Sequence, residues 1–151
     1  MTGKQAQSVA VTEVHSQEDL ERCFEVRRIV FMVEQAVPEA EEYDGLDKDC
    51  LHFMASLDDK PVGTARLRIT DENQAKAERV AVYQEVRGYG IGRLLMEALE
   101  NKARSLGHQS MLLSSQTHAI PFYERIGYEA YGEIFMDAGI PHRWMRKALA
   151  G

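Results

Sequence analysis

The chain has 151 residues, a formal net charge of −6 at pH 7 and hydrophobic residues at 44% of its positions. This length suits a single domain that buries its own core. The negative charge argues against a general nucleic-acid-binding protein, since binding to phosphates needs a basic surface. No stretch of the sequence is apolar over the length that a membrane span requires.

The first seven residues are polar and lack the apolar run of a secretory signal. We therefore expect a flexible leader at 1–7, a single domain at 8–151 and a cytoplasmic protein. Cys23 and Cys50 stand at no metal-ligand spacing, which predicts reduced thiols and no metal site.

A strand is predicted at 9–14, followed by a helix that begins near Ser16 and runs to about residue 33. On the apolar stripe of this helix, Arg27 lies four residues before Phe31 and seven before Glu34, so both charges should face partly inward. Either Arg27 forms a salt bridge that fixes this helix, or Glu34 and Gln35 line one end of a ligand cleft. The acidic run at 38–49 is either a solvated loop or a recognition site for a positively charged amine.

Strands are predicted at 51–57 and 61–70, joined by a polar hairpin turn, and at 77–82. A helix at 91–106, with apolar residues at three- and four-residue spacings, ends at Gly107 as a left-handed cap. A strand at 111–115, a short helix at 118–126 that ends at Gly127, and strands at 128–135 and 143–149 complete the chain. This alternation predicts a mixed sheet covered by helices on both faces.

Gly88, Gly90 and Gly92 alternate between the strand that ends at residue 82 and the helix that begins at residue 91. Glycines at such a junction let the backbone approach a ligand closely. The first helical amides lack internal partners and carry the positive end of the helix dipole, so an anion is favoured there. Arg87 and Arg93 add positive charge. The spacing fits neither the dinucleotide fingerprint nor the Walker loop, and an ordinary glycine-rich turn is the alternative.

The run from Arg87 to Gly92 reads Arg-x-x-Gly-x-Gly, and with its strand and helix it resembles the acetyl-CoA pyrophosphate loop of the GNAT-type N-acetyltransferases. Residues 116–128 resemble the second hallmark of that family, with Gln116 where an Asn is usual and Tyr123 at the family's tyrosine. Segments 30–35, 44–45, 52–53 and 139–142 are similar to a bacterial subgroup, the YjcF/ElaA-like proteins. The resemblance spans residues 8–149 of the sequence.

The resemblance implies an α/β (α+β) fold, in which a single GNAT-like domain has a mixed central sheet of about six to seven strands flanked by helices. The sheet is splayed between the fourth and fifth strands, and CoA enters the gap. The cofactor-binding residues that the resemblance implies are Val80, Ala81, Val82, Arg87, Gly88, Tyr89, Gly90, Ile91, Gly92, Arg93, Gln116, Ala119, Phe122, Tyr123 and Arg125.

The resemblance also implies catalytic roles. A main-chain N–H near Val82, on a strand that the family bulges at this point, serves as the oxyanion donor, and Tyr123 is the general acid for the thiolate. The general base is a carboxylate acting directly or through water, a histidine, or water itself. Glu78 lies four residues before Val82 on the same strand and is expected on the same face. The histidines that could act instead are His52, His118 and His142.

The expected function is N-acetylation of a primary amine, on a small molecule or a peptide, by direct transfer from acetyl-CoA in a ternary complex without a metal. No base stands beside either cysteine to activate it as a nucleophile. The expected acceptor-binding residues are Arg27, Phe31, Glu34, Gln35, His52, His118 and His142.

Two other functions stay open at this point. One is a non-catalytic acyl-CoA-binding sensor module, which Gln116 in place of Asn favours. The other is an acyltransferase with a different acyl donor, since residues 27–35 have some likeness to acyl-homoserine-lactone synthases. The sequence identifies neither the acceptor nor the oligomeric state, and it is compatible with a homodimer.

Overall fold

The computed structural model describes residues 8–149, so the leader predicted at 1–7 lies outside the described residues. The strands are β1 (Val9–Glu13), β2 (Leu51–Leu57), β3 (Lys60–Ile69), β4 (Ala75–Val82), β5 (Ser110–Gln116), β6 (Glu129–Asp137) and β7 (Ile140–Ala148). The α-helices are α1 (Gln17–Arg27), α2 (Glu39–Glu42), α3 (Ile91–Ser105) and α4 (Ile120–Arg125). A π-helix (Arg28–Glu34) continues α1 without a break.

The strands form one seven-stranded sheet in the order β1-β2-β3-β4-β5-β7-β6. All neighbours are antiparallel except β4 and β5, whose parallel pairing is confined to Ala75 with Met111 and Lys76 with Leu112. Beyond these pairs the two strands diverge, because β5 pairs with β7 along its whole length. The predicted mixed sheet, splayed between its fourth and fifth strands, is confirmed.

Helices cover the sheet from both sides. The Ser16 hydroxyl accepts the Asp19 N–H at 3.1 Å, which caps the start of α1 as predicted. On the face of α1, Val26 and Val30 pack with Ala81 of β4. The other face holds the main core, in which α3 buries a continuous stripe. Each large apolar side chain in that stripe contributes about 1.5–3 kcal/mol. The stripe consists of Ile91, Leu95, Met96, Leu99 and Ala103.

A bulge interrupts β4 just before the cleft. Arg66 pairs with Glu78 and Thr64 pairs with Ala81, so β4 has one residue more than β3 between these two pairs. Arg79 lies in the bulge with a φ of 55°, a left-handed value that is uncommon for a residue with a side chain. The bulge that the resemblance implied is therefore present.

The bulge reverses the alternation of side chains along β4. Glu78 and Ala81 lie on the α1 face, since their partners Arg66 and Thr64 are two residues apart on β3. Val82 packs against the main core on the α3 face. The expectation that Glu78 shares a face with Val82 is wrong, because a four-residue spacing keeps its face only in an unbroken strand.

Candidate functional site

Backbone groups at the end of β4 face the opening between β4 and β5. Tyr83 donates its N–H to the Val62 carbonyl of β3 at 2.9 Å. Neighbouring residues in a strand direct their amides to opposite sides, so the N–H and C=O of Val82 point toward the side where pairing with β5 has ended. The Arg87 Nε donates to this Val82 carbonyl at 3.2 Å. The Val82 N–H thus has the direction that an oxyanion donor needs.

The glycine-rich loop forms the entrance to α3. Gly88 and Gly90 have φ values of 99° and 79°, which strain any residue with a Cβ. Gly90 is the N-cap of the fifteen-residue helix α3, and no side chain caps the first turn. The first amides of α3 and the helix dipole therefore face the loop without a competing acceptor from the cap, which favours an anion such as a pyrophosphate.

Close packing and positive charge surround this loop. A Cβ on Gly92 would lie 3.2 Å from the Phe122 ring, so a larger residue would require that ring to shift by a few tenths of an ångström. Arg93 forms a salt bridge with Glu97 at 2.8 Å, and both side chains are about half exposed. Such exposed pairs are weak and separate readily. Arg93 and Arg125 also line a cavity of about 160 Å³.

Tyr123 lies on α4 between two other aromatic rings. Its centroid is 4.9 Å from that of Phe122 and 5.9 Å from that of Tyr128, with edge-to-face geometry in both pairs. The Tyr128 hydroxyl donates to the buried Glu100 carboxylate at 2.8 Å, which fixes one neighbour in place. Burial raises the pKa of Tyr123 to about 12. The phenol therefore stays protonated at neutral pH and can donate its proton, but it cannot act as a base.

Gln116, at the end of β5, joins the two sides of the cleft. Its amide nitrogen donates to the Gln35 Oε1 at 2.8 Å, just beyond the π-helix. Its Oε1 lies 2.6 Å from the His118 Nε2 and accepts the proton of that nitrogen. Gln116, predicted to bind the cofactor, therefore contacts Gln35 and His118, which are both predicted to bind the acceptor.

The π-helix brings further predicted residues to the same opening. The Glu34 carboxylate binds the Arg87 guanidinium at 3.2 Å, which connects the π-helix with the glycine-rich loop. Phe31 packs against the cluster of Val30 and Ala81. Because a π-helix has a wider turn than an α-helix and is frequent at functional sites, it places Glu34 and Gln35 toward the loop and toward β5 in succession.

His142 is the third predicted acceptor residue near the end of β5. It lies on β7 directly opposite Gln116 and also opposite Phe135 of β6. Its Nδ1 donates to the Ile140 carbonyl at 2.8 Å. Because a carbonyl can only accept, the ring proton lies on Nδ1 and Nε2 carries the lone pair. His118 and His142 therefore both lie beside Gln116.

An extended ion-pair network lies on the α1 face and holds the acidic segment 38–49 against the sheet. The Arg27 side chain is 1% exposed and binds Glu42 at 2.9 Å and Asp47 at 2.7 Å. Arg66, also 1% exposed, binds Asp44 and Asp47 at 2.9 Å. Buried charges require such partners. The predicted salt bridge of Arg27 is thus confirmed, and this pairing argues against Arg27 as an acceptor-binding residue.

Glu78 belongs to the same network, which contradicts its expected role as general base. It is bound by Arg66, Arg68 and Lys76. Burial favours a raised pKa, but the hydrogen bonds from Arg68 and Lys76 outweigh it and lower the pKa of Glu78 to about 2. A carboxylate of this pKa takes up a proton too weakly to deprotonate an ammonium group near neutral pH.

His52 also lies apart from the cleft, which corrects its assignment as an acceptor residue and base. It is 6% exposed on β2, and its Nε2 donates to the Asp47 carbonyl at 2.8 Å. Burial lowers its pKa, against the effect of that hydrogen bond. Its ring helps to hold the segment that follows α2 and does not reach the opening at Gln116.

Sequence reasoning missed three residues that the structure brings to the site. Arg79 holds the bulge of β4, and no sequence signal predicts a left-handed arginine. Phe135 stacks on both His142 and Trp144. The alternation of Tyr131, Phe135, His142 and Trp144 on the two last strands was the signal available for this aromatic face.

The arrangement can hold a phosphate-containing ligand at the loop and polarise a carbonyl in the opening. A family model described as acetyltransferase (GNAT) domain matches residues 11–149. The chain belongs to the GNAT acetyltransferase family. YjcF of Bacillus subtilis, described as an uncharacterized N-acetyltransferase, is 41% identical over 133 residues, which are 87% of this chain and 94% of that protein.

Solved structures of GNAT proteins agree with the fold. An acyl-CoA N-acyltransferase from Pseudomonas aeruginosa is 33% identical, with a TM-score of 0.82 over 93% of this chain and 100% of that chain. ElaA of Escherichia coli is 27% identical, with a TM-score of 0.80 over 93% of this chain and 99% of that one. Membership of the GNAT family makes this protein an acyl-CoA-dependent N-acyltransferase.

Within residues 8–149, no group of three or more His, Cys, Asp and Glu side chains has an arrangement that could hold a metal ion. No helix within the same residues has the length and apolar character needed to span a bilayer.

Proposed function

We propose that this GNAT protein is an acetyl-CoA-dependent N-acetyltransferase that transfers acetyl directly to a primary amine in a ternary complex. Three features of the elements that border the opening support this most. These are the glycine-rich entrance to α3, the Val82 N–H and the protonated Tyr123. Each supplies a different requirement of acyl transfer, namely binding of the donor, stabilisation of the oxyanion and protonation of the leaving group.

The residues present fit acetyl-CoA, which supplies an acetyl thioester when bound. The amides of residues 88–93 and the positive end of the α3 dipole hold the pyrophosphate. Arg87, Arg93 and Arg125 add charge around it, after exchanging their exposed pairs with Glu34 and Glu97 for phosphate oxygens.

Two groups act on the developing charges. The Val82 N–H donates to the carbonyl oxygen as it gains negative charge, and one such donor is typically worth about 3–4 kcal/mol. Tyr123 holds a proton for the thiolate leaving group. Since its pKa is about 12, the phenol is fully protonated before transfer.

A histidine beside Gln116 accepts the proton of the amine. A primary ammonium has a pKa of about 10, so a proton must leave before attack. With Glu78 committed to its ion pairs, His118 and His142 are the remaining predicted bases at the opening. Gln116 orients His118 by accepting the Nε2–H of that ring. The Ile140 carbonyl orients His142 by accepting the Nδ1–H of that ring.

The state of the cysteines supports direct transfer. Cys23 is fully buried, and burial raises its pKa. Burial also raises the pKa of Cys50 to about 11. A nucleophilic thiol needs a lowered pKa, so a cysteine-bound acetyl intermediate is not expected.

A turnover assay tests this function. The purified protein is incubated with acetyl-CoA and a panel of amines, while release of the CoA thiol and the mass of the product are followed. We expect thiol release that depends on the amine and a product heavier by one acetyl group. Binding of acetyl-CoA without turnover on any amine would favour the sensor function instead. Transfer only from an acyl-carrier protein would favour the synthase-like alternative.

A further inference from the structure

Tyr123 lies on a short helix that contacts α3 at two points. This helix, α4, has six residues, too few to be stable by itself. Near its start, the Phe122 ring lies against Gly92, where a Cβ would come within 3.2 Å of that ring. Just beyond its end, the Tyr128 hydroxyl donates to the Glu100 carboxylate at 2.8 Å. Tyr123 lies between these two contacts along the chain.

The backbone ties Tyr128 directly to Tyr123. The Tyr128 N–H donates to the Tyr123 carbonyl at 3.0 Å, and the Gly127 N–H donates to the Glu124 carbonyl at 3.1 Å. With Gly127 at a φ of 105°, these two bonds form the closure that often ends a helix at a glycine. The two tyrosine rings meet edge to face, with 5.9 Å between their centroids. A displacement of Tyr128 is therefore transmitted to Tyr123.

Both oxygens of the Glu100 carboxylate have a partner outside α3. Its Oε2 accepts the Tyr128 O–H, and its Oε1 lies 2.9 Å from the Lys147 ammonium on β7. The Lys147 ammonium also lies 5.7 Å from the centroid of the Tyr128 ring. Glu100 and Tyr128 are each 3% exposed. This carboxylate therefore joins α3, β7 and the end of α4 inside the protein.

A buried carboxylate is a costly way to stabilise a helix. Glu100 lies beside the apolar stripe of α3, next to Leu99 and one turn from Met96 and Ala103. Well-packed apolar residues in place of a buried ion pair are often neutral or stabilising. Stability alone therefore does not account for Glu100, and its hold on Tyr128 gives it a second role.

The Tyr123 hydroxyl needs such support from its surroundings. Burial alone raises the pKa of Tyr123, with no contribution from a hydrogen bond among the described residues. The packing of its ring and the backbone of α4 therefore determine where the hydroxyl lies. A displacement of about 1 Å in a catalytic group can lower a rate about 100-fold.

We propose that Glu100 is a positioning residue for acetyl transfer, which acts through Tyr128 to orient the Tyr123 hydroxyl for protonation of the leaving thiolate. This inference rests on the proposed function, in which Tyr123 is the general acid. Glu100 lies ten residues after Gly90 on the same helix, a rise of about 15 Å. One helix thus carries the glycine-rich entrance at its start and the anchor of Tyr128 in its third turn, so it fixes the position of the acid relative to the donor loop.

Tyr128→Phe tests the proposal directly, because it removes the hydroxyl and keeps the ring against Tyr123. We expect kcat to fall about tenfold, with no change in the KM for acetyl-CoA or in its affinity measured by calorimetry, since only the placement of the acid changes. Tyr43→Phe removes a hydroxyl from the end of α2 and should leave kcat unchanged. A folded Tyr128→Phe variant with full kcat would overturn the proposal.

Combination with Tyr123→Phe shows whether the effect passes through Tyr123. If Tyr128 acts only by positioning that hydroxyl, the double variant should have the same kcat as Tyr123→Phe alone. A general loosening of the fold would instead lower kcat about tenfold in both backgrounds. Losses that multiply in this way would contradict the positioning role and leave the enzyme function standing. If the wild-type protein acetylates no amine, the proposed function falls and this inference falls with it.

Substitutions of Glu100 separate its hydrogen bond from its ion pair. In Glu100→Gln the amide oxygen can still accept the Tyr128 O–H while the charge facing Lys147 is lost, so we expect most of the wild-type kcat. Glu100→Leu cannot accept, and its kcat should fall about tenfold, as in Tyr128→Phe. Full kcat in Glu100→Leu would overturn the proposal, and if this variant fails to fold, Tyr128→Phe decides.

Glu13→Gln is the matched control for Glu100→Gln. It removes a carboxylate that binds Lys102, on the same helix, at 3.0 Å. Glu13 lies on β1, at the opposite edge of the sheet from β6, so kcat should not change. A tenfold loss of kcat in Glu13→Gln would show that any ion pair of α3 affects turnover, which would contradict a specific role for Glu100.

Discussion

Arg79 contacts the buried carboxylate of Glu42, with 3.1 Å between its Nε and the Glu42 Oε1. Its Nη2 also lies 3.3 Å from the Glu41 and Glu42 carbonyls and from Asp44. These contacts join the bulge of β4, three residues before Val82, to the segment around α2. The bulge directs Glu78 and Val82 to opposite faces, so Arg79 connects the ion-pair network with the proposed oxyanion donor.

Two substitutions of Arg79 distinguish the effect of its ion pairs on stability from the effect of its left-handed backbone. Arg79→Ala removes the ion pairs and keeps a side chain at a left-handed φ, so we expect a loss of about 2 kcal/mol in the free energy of unfolding. Arg79→Gly loses the same pairs but tolerates the φ of 55°, and should be more stable than the alanine variant by about 1 kcal/mol. Urea denaturation measures both. Equal stability of the two variants would show that the bulge is not strained.

Glu78 is predicted to stabilise the fold rather than to catalyse. Its pKa is lowered from 4.5 to about 2, so its stabilisation is complete above pH 4.5 and is lost as the pH falls toward 2. Glu78→Gln should lower the free energy of unfolding at pH 7 by roughly 3 kcal/mol. The difference from the wild-type protein should shrink in acid.

The control for this prediction is Glu97→Gln, whose carboxylate is half exposed in its pair with Arg93. It should change stability by less than about 1 kcal/mol. A Glu78→Gln variant with unchanged stability and abolished turnover would instead make Glu78 the general base.

Tyr123→Phe removes one hydroxyl and keeps the aromatic packing with Phe122 and Tyr128. We expect kcat to fall about 100-fold, with no change in the affinity for acetyl-CoA. In the wild-type protein, deprotonation of Tyr123 should not reduce the rate between pH 7 and 10, because its pKa is about 12. Tyr43→Phe, at the end of α2 where the ring contacts Phe24, is the control. Full turnover in Tyr123→Phe would exclude the general-acid role.

The histidine base is tested by two single variants, His118→Asn and His142→Asn. A histidine base takes up a proton as the pH falls, so kcat/KM of the wild-type protein should decline in acid. One of the two variants should lose this decline together with about 100-fold in rate. Retention of the acid limb and of the rate in both variants would transfer the role to water or another group.

The sequence predicted most of the fold because its elements follow local rules. The apolar period of α3, its end at Gly107 with a φ of 91°, and the Ser16 cap of α1 depend on residues close in the chain. The glycine-rich loop was found for the same reason. The inward orientation of Arg27 also followed from helical spacing.

The base and the acidic segment could not be assigned correctly, because they depend on contacts between distant residues. The one-residue bulge at Arg79 is invisible in a pattern that assumes strict alternation, and it moves Glu78 to the other face. The partners of the acidic segment are arginines on α1 and β3, far away in sequence. Neither feature leaves a local signal that spacing rules can detect.

Calorimetric titration with acetyl-CoA measures whether the glycine-rich entrance to α3 binds the acetyl donor. Gly90→Glu places a carboxylate where the pyrophosphate should lie. Gly107→Glu is a matched control at the other end of the same helix, since its φ is also left-handed, at 91°. We predict micromolar binding by the wild-type protein and by Gly107→Glu, and loss of binding in Gly90→Glu. No binding by the wild-type protein, or equal binding by all three, would contradict the account.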